Sequence, residues 1–424
     1  MANSQFETQT TLQGLFKDVF ADKIVNLVPE SSVFQKRIKF VENDKREGRL
    51  LHQPVLLSLP SGMTFGVGIV ALNNPIASTM GDAQIQGSGM TLADRITYDV
   101  AAKAASGGVR AFVEATELIV DALTQSMSKF IEIELMWGNS STGTLGQASV
   151  STAISSTTCS MTIDAAEWAT GIWSGVENMA IDVYKTSGTI QVNTTGAIIV
   201  TAVNPSTRVI TISGAAADIT AIGTTNAAVA QQIYPYLAVG NEMNGFFTIL
   251  GNTGTLFNIS ATTYALWQAN TYGAGSTALN FGKIQSAVAL GTARGLIEDV
   301  VVYINPTTFA NVVTSQAGAR RYDASYKSKE MENGTTALSF WGPNGKIELV
   351  PHIFMKQGYA FILPMKRCKR TGATDLTFTL PGMPGEFFLQ SPGYTAYELR
   401  CYTLQAAFLD SPAKGVLINL IVNQ

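Results

Sequence analysis

Acid–base equipment is nearly absent from this chain. In 424 residues there are two histidines, His52 and His352, and they lie in different elements. Nucleophilic catalysis of the Ser–His–Asp or Cys–His kind needs an imidazole oriented by a third group. His352 sits in the strand-like run ELVPHIFM and reads as a structural histidine. No CxxC, HExxH or carboxylate-rich loop offers metal-ligand spacing. The run G-P-N-G-K ending at Lys346 has two residues between its glycines, where a phosphate-cradling loop has four, and Ile347 follows in place of Ser or Thr. Gly87-Ser88-Gly89 lacks the third glycine of a dinucleotide loop, and Ser126-Met127-Ser128-Lys129 falls deep in a helical pattern without companion motifs. An enzyme, a cofactor and a metal are not expected.

Charge is also scarce. Charged residues make up 14% of the chain, against about a quarter in ordinary soluble domains. None occurs in Leu135 to Ile163 or in Met243 to Gly282. Large subunit contacts would account for this, since interface centres are depleted of charge. A secreted β-protein with a Ser/Thr-rich skin is the alternative. The net charge of −3 argues against a dedicated nucleic-acid binder. No apolar run approaches the roughly 20 residues that span a bilayer, so no membrane partner is expected. The start MANSQFETQ lacks the basic and apolar regions of a signal peptide. Cys159, Cys368 and Cys401 are odd in number and far apart, which fits reduced thiols and folding in a cytosol.

What the chain does contain is architecture. Val300 to Ile304 is a β-branched strand closed by Asn305-Pro306, and Thr307 and Thr308 are placed to cap a helix starting near Phe309. Asn344-Gly345 between LSFW and KIELV is a hairpin signal, and a further strand ends at Pro364. Upstream, Leu12, Phe16, Val19 and Phe20 recur at helical spacing in an arm too apolar-poor to fold alone, and VFQKRIKFVEN alternates like an edge strand. From 50 to 100, QPVLLSLP and MTLADRITYDV read as two strands around a glycine-punctuated tip, a protruding hairpin that needs a partner surface. A helix of about 30 residues, roughly 45 Å long, follows Gly107-Gly108 and ends at Gly138 as a C′ residue. Its polar side carries Glu114, Glu117, Asp121, Lys129 and Glu132. Leu135 to Ile163 reads as a surface loop, 164–173 as a short helix, and 180–245 as a small β subdomain with a tight turn at Asn204-Pro205-Ser206-Thr207. DLTFTL, YELRCYTLQAAFL and GVLINLIV finish the chain in a sheet.

This order of parts, with EDVVVYINPTTFANVV, FWGPNGKIELVPHIFMKQGYAFILP, MNGFFTILGNTGTLFNIS and YALWQAN before GKIQSAV, resembles the major capsid proteins of tailed bacteriophages. The resemblance implies an α+β Hong Kong 97-type fold. It places an N-terminal arm at 1–45, an extended E-loop at 46–100, and a P-domain at 101–179 with its spine helix at 108–137. A β-rich insertion would span 180–245, the P-domain return and A-domain 246–390, and C-terminal strands returning to the P-domain 391–424. It further implies pentamers and hexamers in an icosahedral virion shell assembled in the host cytoplasm, around double-stranded DNA held without sequence specificity. The implied partners are other copies of the chain, a portal protein, a separate scaffolding protein and a cement or decoration protein.

Subunit contacts are expected at Phe16, Phe20 and Ile24 of the arm and at Leu56, Leu57, Phe65 and Ile85 of the loop. Lys366, Arg367, Lys369 and Arg370 are candidate charged contacts. From Leu50 to Ala102 there is no lysine, so a covalent weld donated by a loop lysine, as in some members, is excluded and a non-covalent shell is expected. With about 45 residues before the loop, no large propeptide is expected. An encapsulin-like compartment shell and a secreted β-rich adhesin are the alternative readings.

Overall fold

The computed structural model describes residues 32–42, 50–98, 109–319, 338–343, 345–379, 388–390 and 393–423. Three sheets and one long helix organise them. The six-stranded sheet has the order β14 (Asn270–Thr277), β22 (Val416–Ile421), β18 (Ala360–Leu363), β15 (Val300–Ile304), β17 (Gly345–Pro351), β16 (Leu338–Gly342). Its central strands are continuous apolar runs because both faces are covered. Val300, Val302 and Ile304 of β15, with Ile362 and Ile418, pack beneath helices α3 (Phe281–Ala293) and α4 (Pro306–Ala319). The alternate residues Val301, Tyr303, Phe361 and Leu417 join the main core on the other face, as a period of two requires.

The strand–helix–hairpin–strand reading of 294–364 stands, with one shift at the helix start. Asn305 Oδ1 accepts the Thr307 N–H at 2.9 Å, so Asn305 caps α4 and Pro306 takes the first turn, where its missing N–H costs nothing. Thr308 is buried and donates to Asn423 Oδ1 at 3.0 Å. In the β16–β17 hairpin Gly342 faces Gly345, which has φ +130°; Asn344 lies outside the described residues.

The five-stranded sheet is built on β21 (Ala396–Leu409). β4 (Ser88–Thr97) runs antiparallel along one side of it. On the other side lie β20 (Phe388–Gln390) and β19 (Cys368–Thr377), with β1 (Phe40–Glu42) parallel at the edge. MTLADRITYDV is therefore no arm of the protruding hairpin. That hairpin is β2 (Leu51–Ser58) with β3 (Thr79–Ile85). Of the two C-terminal strands only β21 lies in this sheet; β22 inserts between β14 and β18, where its apolar residues Val416, Leu417 and Ile418 are buried on both faces. VFQKRIKFVEN splits into helix α1 (Val33–Arg37) and β1, since the apolar spacing Phe34 to Ile38 is helical and both are buried.

The spine helix α2 spans Val109–Trp137. Gly138 does not adopt the left-handed conformation; Asn139 does, with φ 53°. Gly138 is required by close approach instead, as a Cβ there would lie 2.4 Å from the Met243 carbonyl oxygen.

Residues 146–235 form an antiparallel sheet in the order β11 (Gln231–Pro235), β5 (Gly146–Ala153), β6 (Thr158–Ile163), β10 (Val209–Ser213), β9 (Ile198–Asn204), β7 (Ala180–Lys185), β8 (Ile190–Gln191). β11 also pairs β7, closing the first six into a barrel that leaves no exposed edge within the ring. The Ser/Thr-rich stretch after the spine helix is thus no loop. In TCSMTI the residues Cys159, Met161 and Ile163 point inward and are fully buried. The β-rich unit begins at 146, not 180. Its Asn204 turn is as expected, with Asn204 Oδ1 accepting the N–H groups of Ser206 and Thr207.

Candidate assembly surfaces

The β2–β3 hairpin carries a dense run of exposed large apolar side chains, from Leu56 to Met80. Its base is fixed to the body. Gln84 donates its N–H to the Phe257 carbonyl at 3.0 Å, between the short strands β12 (Thr255–Leu256) and β13 (Ile259–Ser260). A Cβ on Gly81 would stand 2.6 Å from Leu57 Cδ1 and 3.2 Å from Ile259 Cδ1. On the exposed face His52 Nδ1 lies 2.5 Å from Asp82 Oδ2.

Beyond the base, residues 59–78 are held by bonds within the tip itself. Ser61 and Ile76 exchange backbone bonds of 3.0 and 2.7 Å, and Asn73 bonds Thr64 Oγ1 and the Met63 carbonyl, both at 2.8 Å. The side chains face outward: Phe65 is 84%, Val67 103%, Ile69 107% and Leu72 85% exposed. From Leu50 to Gly81 there is no Asp, Glu, Lys or Arg. Covering each of these four side chains would contribute roughly 1.5–3 kcal/mol.

Of the expected contact residues, Leu56 and Phe65 are exposed and open to a neighbour. Leu57 and Ile85 are not: they are buried within the chain, because the β12–β13 turn covers that face of the hairpin. Phe16, Phe20 and Ile24 lie outside the described residues. In the basic run, Arg367 pairs Glu298 at 2.6 Å, Lys369 pairs Asp410 at 3.0 Å, and Arg370 pairs Asp375 at 3.1 Å while donating to the Ile38 carbonyl at 3.0 Å. Three of the four cations thus hold this chain's own elements together, and Lys366 is exposed. The Arg367 hydrogen bond holds the Glu298 carboxyl below the usual carboxylate range.

Inside the molecule, ionisable groups act as fasteners. Glu132 on α2 accepts the N–H groups of Phe34 (2.6 Å) and Gln35 (3.1 Å), and His352 Nε2 lies 3.0 Å from its Oε1. His352 Nδ1 accepts the Phe354 N–H at 3.2 Å, so its ring proton sits on Nε2, facing the carboxylate. Sequence pattern placed Glu132 and Lys129 on the solvent side of the helix. Both are buried, Glu132 beneath α1 and Lys129 donating to the Ser174 carbonyl at 2.6 Å. Burial lowers the Lys129 pKa to about 8.

A second fastener joins the barrel entrance to the six-stranded sheet. Lys356 is fully buried, 2.8 Å from Glu167 and 2.7 Å from the Gly143 carbonyl, and lies 4.4 Å over the Trp137 ring. Tyr359 donates to the other Glu167 oxygen at 2.7 Å. Burial lowers the Lys356 pKa and Glu167 opposes that shift. The three cysteines are free and buried, and burial pushes the Cys159 and Cys401 thiols up to about 11. Among the described residues no cluster of three or more His, Cys, Asp or Glu could hold a metal, and no helix is long and apolar enough to cross a membrane.

No family model matches the sequence, and no curated protein matches it. Solved structures do match. The cyanophage A-1(L) capsid asymmetric unit contains a chain with TM-score 0.58 and 11% identity, over 98% of this chain and 99% of that one. The capsid of the native GTA particle gives TM-score 0.49 and 9% identity over 98% and 99%. The holo-SrpI encapsulin complex of Synechococcus elongatus PCC 7942 gives 0.43 and 7% over 99% and 96%. The cyanophage likeness establishes a shared fold along nearly the whole length.

Proposed function

With the Hong Kong 97-type fold of tailed-phage capsid proteins as premise, we propose that this chain is a major capsid protein, a structural subunit and not an enzyme. It assembles as pentamers and hexamers into an icosahedral shell around double-stranded DNA. The β2–β3 hairpin serves as the E-loop, and α2 with the five-stranded sheet as the P-domain. The six-stranded sheet with α3 and α4 serves as the A-domain, and the barrel 146–235 is an insertion. The arm ahead of Phe34 would lie across a neighbour. A portal protein, a scaffolding protein and a cement protein are the implied partners, and assembly takes place in the host cytoplasm.

The observation that carries this reading is the tip 59–78, an uncharged apolar surface on a fold built for shells. A free monomer would expose it; a neighbouring subunit would bury it. Obligate interfaces of this kind bury some thousands of Å², which also accounts for the scarcity of charge. The triple variant Phe65→Asp, Val67→Asp, Ile69→Asp tests it. It should give a soluble, folded subunit with an unchanged melting temperature that forms no closed particles by negative-stain microscopy. Normal particles would refute the docking role of the tip.

A further inference from the structure

The end of the six-stranded sheet at which β15 begins carries basic residues that the fold only partly uses. Arg367 pairs Glu298, and the next acid, Asp299, accepts the Lys346 N–H at 2.9 Å. Lys346 and Glu348 lie two apart on β17 and so share a face. Arg37 of α1 reaches that same Glu348 at 2.6 Å. Lys36 and Lys39 flank Arg37, and Phe40, next to Lys39, stands opposite Arg370 in the β1–β19 pairing. One chain of contacts thus joins α1, β1, β17 and the turn before β19.

The charges on this surface fall into two groups. Arg37, Arg367, Lys369 and Arg370 are each paired with an acid of this chain, and Lys414 adds a second cation to Glu298 at 3.4 Å. Lys36, Lys39, Lys346 and Lys366 are exposed, and among the described residues no acid or other side chain engages their amines. Of the remaining local acids, Asp299 is engaged by the Lys346 N–H, and Glu42 lies at the far end of β1. Ion pairs that hold the fold therefore consume the acids and leave four lysines to the solvent. Trp341 stands opposite Lys346 across the β16–β17 hairpin and is 78% exposed. The other four tryptophans of the chain are 2% exposed or less.

We propose that this surface binds the phosphate backbone of duplex DNA, without base readout, and faces the interior of the shell. The inference rests on the reading of the chain as a capsid subunit and adds where the DNA is met. The arginines, whose planar forks fit carboxylates at two points, are all taken here. What remains are ammonium point charges on flexible stems, spread over three elements. They suit a backbone that offers charge without a fixed sequence-dependent geometry. The chain as a whole carries −3, so sequence-independent affinity for DNA must come from a local patch of this kind.

Fluorescence anisotropy of a short labelled duplex with the unassembled full chain tests this, with poly-L-glutamate as the acidic-protein control. Four phosphate contacts give a slope of roughly −3.6 in log K against log salt, so affinity should fall about a hundredfold between 50 and 200 mM salt. Bound duplex should also shield Trp341 from quenching by acrylamide. The quadruple variant Lys36→Gln, Lys39→Gln, Lys346→Gln, Lys366→Gln removes no side-chain bond seen in the fold. It should keep the wild-type melting temperature and still close shells, while losing at least tenfold in affinity and most of the salt slope. Duplex binding unchanged in that variant would overturn the proposal, as would equally tight binding of poly-L-glutamate, unchanged access to Trp341 or no duplex binding at 50 mM salt. A variant that no longer closes shells would assign the lysines to subunit contacts and overturn it too. Shell closure by the wild-type chain is read separately by microscopy. Shells without duplex binding refute this inference alone, whereas a wild-type chain that never forms shells removes its premise.

Discussion

Glu132 illustrates how a residue's role depends on what folds over it. Its place in the helical pattern makes it solvent-facing; the α1 segment covers it, and it then holds two backbone N–H groups and His352. Glu132→Ala would leave two buried donors, the Phe34 N–H and His352 Nε2, and the half-buried Gln35 N–H unpaired, at about 1–3 kcal/mol for each buried one. Urea unfolding should show a loss of several kcal/mol, and Glu132→Gln, which keeps one acceptor oxygen, should lose less. An unchanged midpoint for the alanine variant would contradict the fastening role. Glu134 makes a pH prediction. Burial beside Glu242 raises its pKa above the ordinary 4.5 in the folded chain, so its contribution to stability is fully present below pH 4.5. That contribution is lost as pH rises through the folded pKa. Lys129, lowered to about 8, changes stability in the opposite direction and only between about 8 and 10.5. Between pH 5 and 7.5, Glu134→Gln should therefore gain stability relative to wild type as pH rises; a constant difference across that range would count against a protonated Glu134.

Among the elements, those set by local chemistry were legible in the sequence. The β-branched run of β15, the Asn305-Pro306 stop, the Asn204 turn and the 29-residue spine helix all emerge where the residues place them. What was not legible depends on distant partners. MTLADRIT looks like the return strand of the hairpin, but it pairs with β21 about 300 residues away, and no local pattern encodes that choice. TCSMTI looks like loop because its outward positions are Ser and Thr; the buried Cys159, Met161 and Ile163 were the signal. In the candidate surface, Leu56 and Phe65 could be read as exposed contacts, whereas Leu57 and Ile85 are covered by the β12–β13 turn, some 170 residues on. The Lys356–Glu167 fastener was invisible for the same reason, and it carries a test. Lys356→Met alone would strand a buried carboxylate and should cost about 3–5 kcal/mol, while pairing it with Glu167→Leu should recover most of that loss. A double variant as unstable as the single would argue against a coupled pair.

At the scale of the whole molecule, the chain divides its apolar surface into two parts. One lies in the core that joins the sheets and the barrel entrance. The other is displayed on the hairpin tip 59–78, which carries no charge to keep it apart from a neighbour. Under the proposed function the second part is the means of assembly, and since Leu50 to Ala102 holds no lysine, no covalent weld is donated from that loop. Mature particles boiled in detergent should run as a single band at the mass of one subunit; a ladder of oligomers would refute the non-covalent reading. The most direct measurement is electron microscopy of the chain expressed with its neighbouring genes. The account predicts closed icosahedral shells in which the 59–78 tip of each subunit lies buried on the next. Subunits that stay monomeric under those conditions, or shells whose tips project free into solvent, would contradict it.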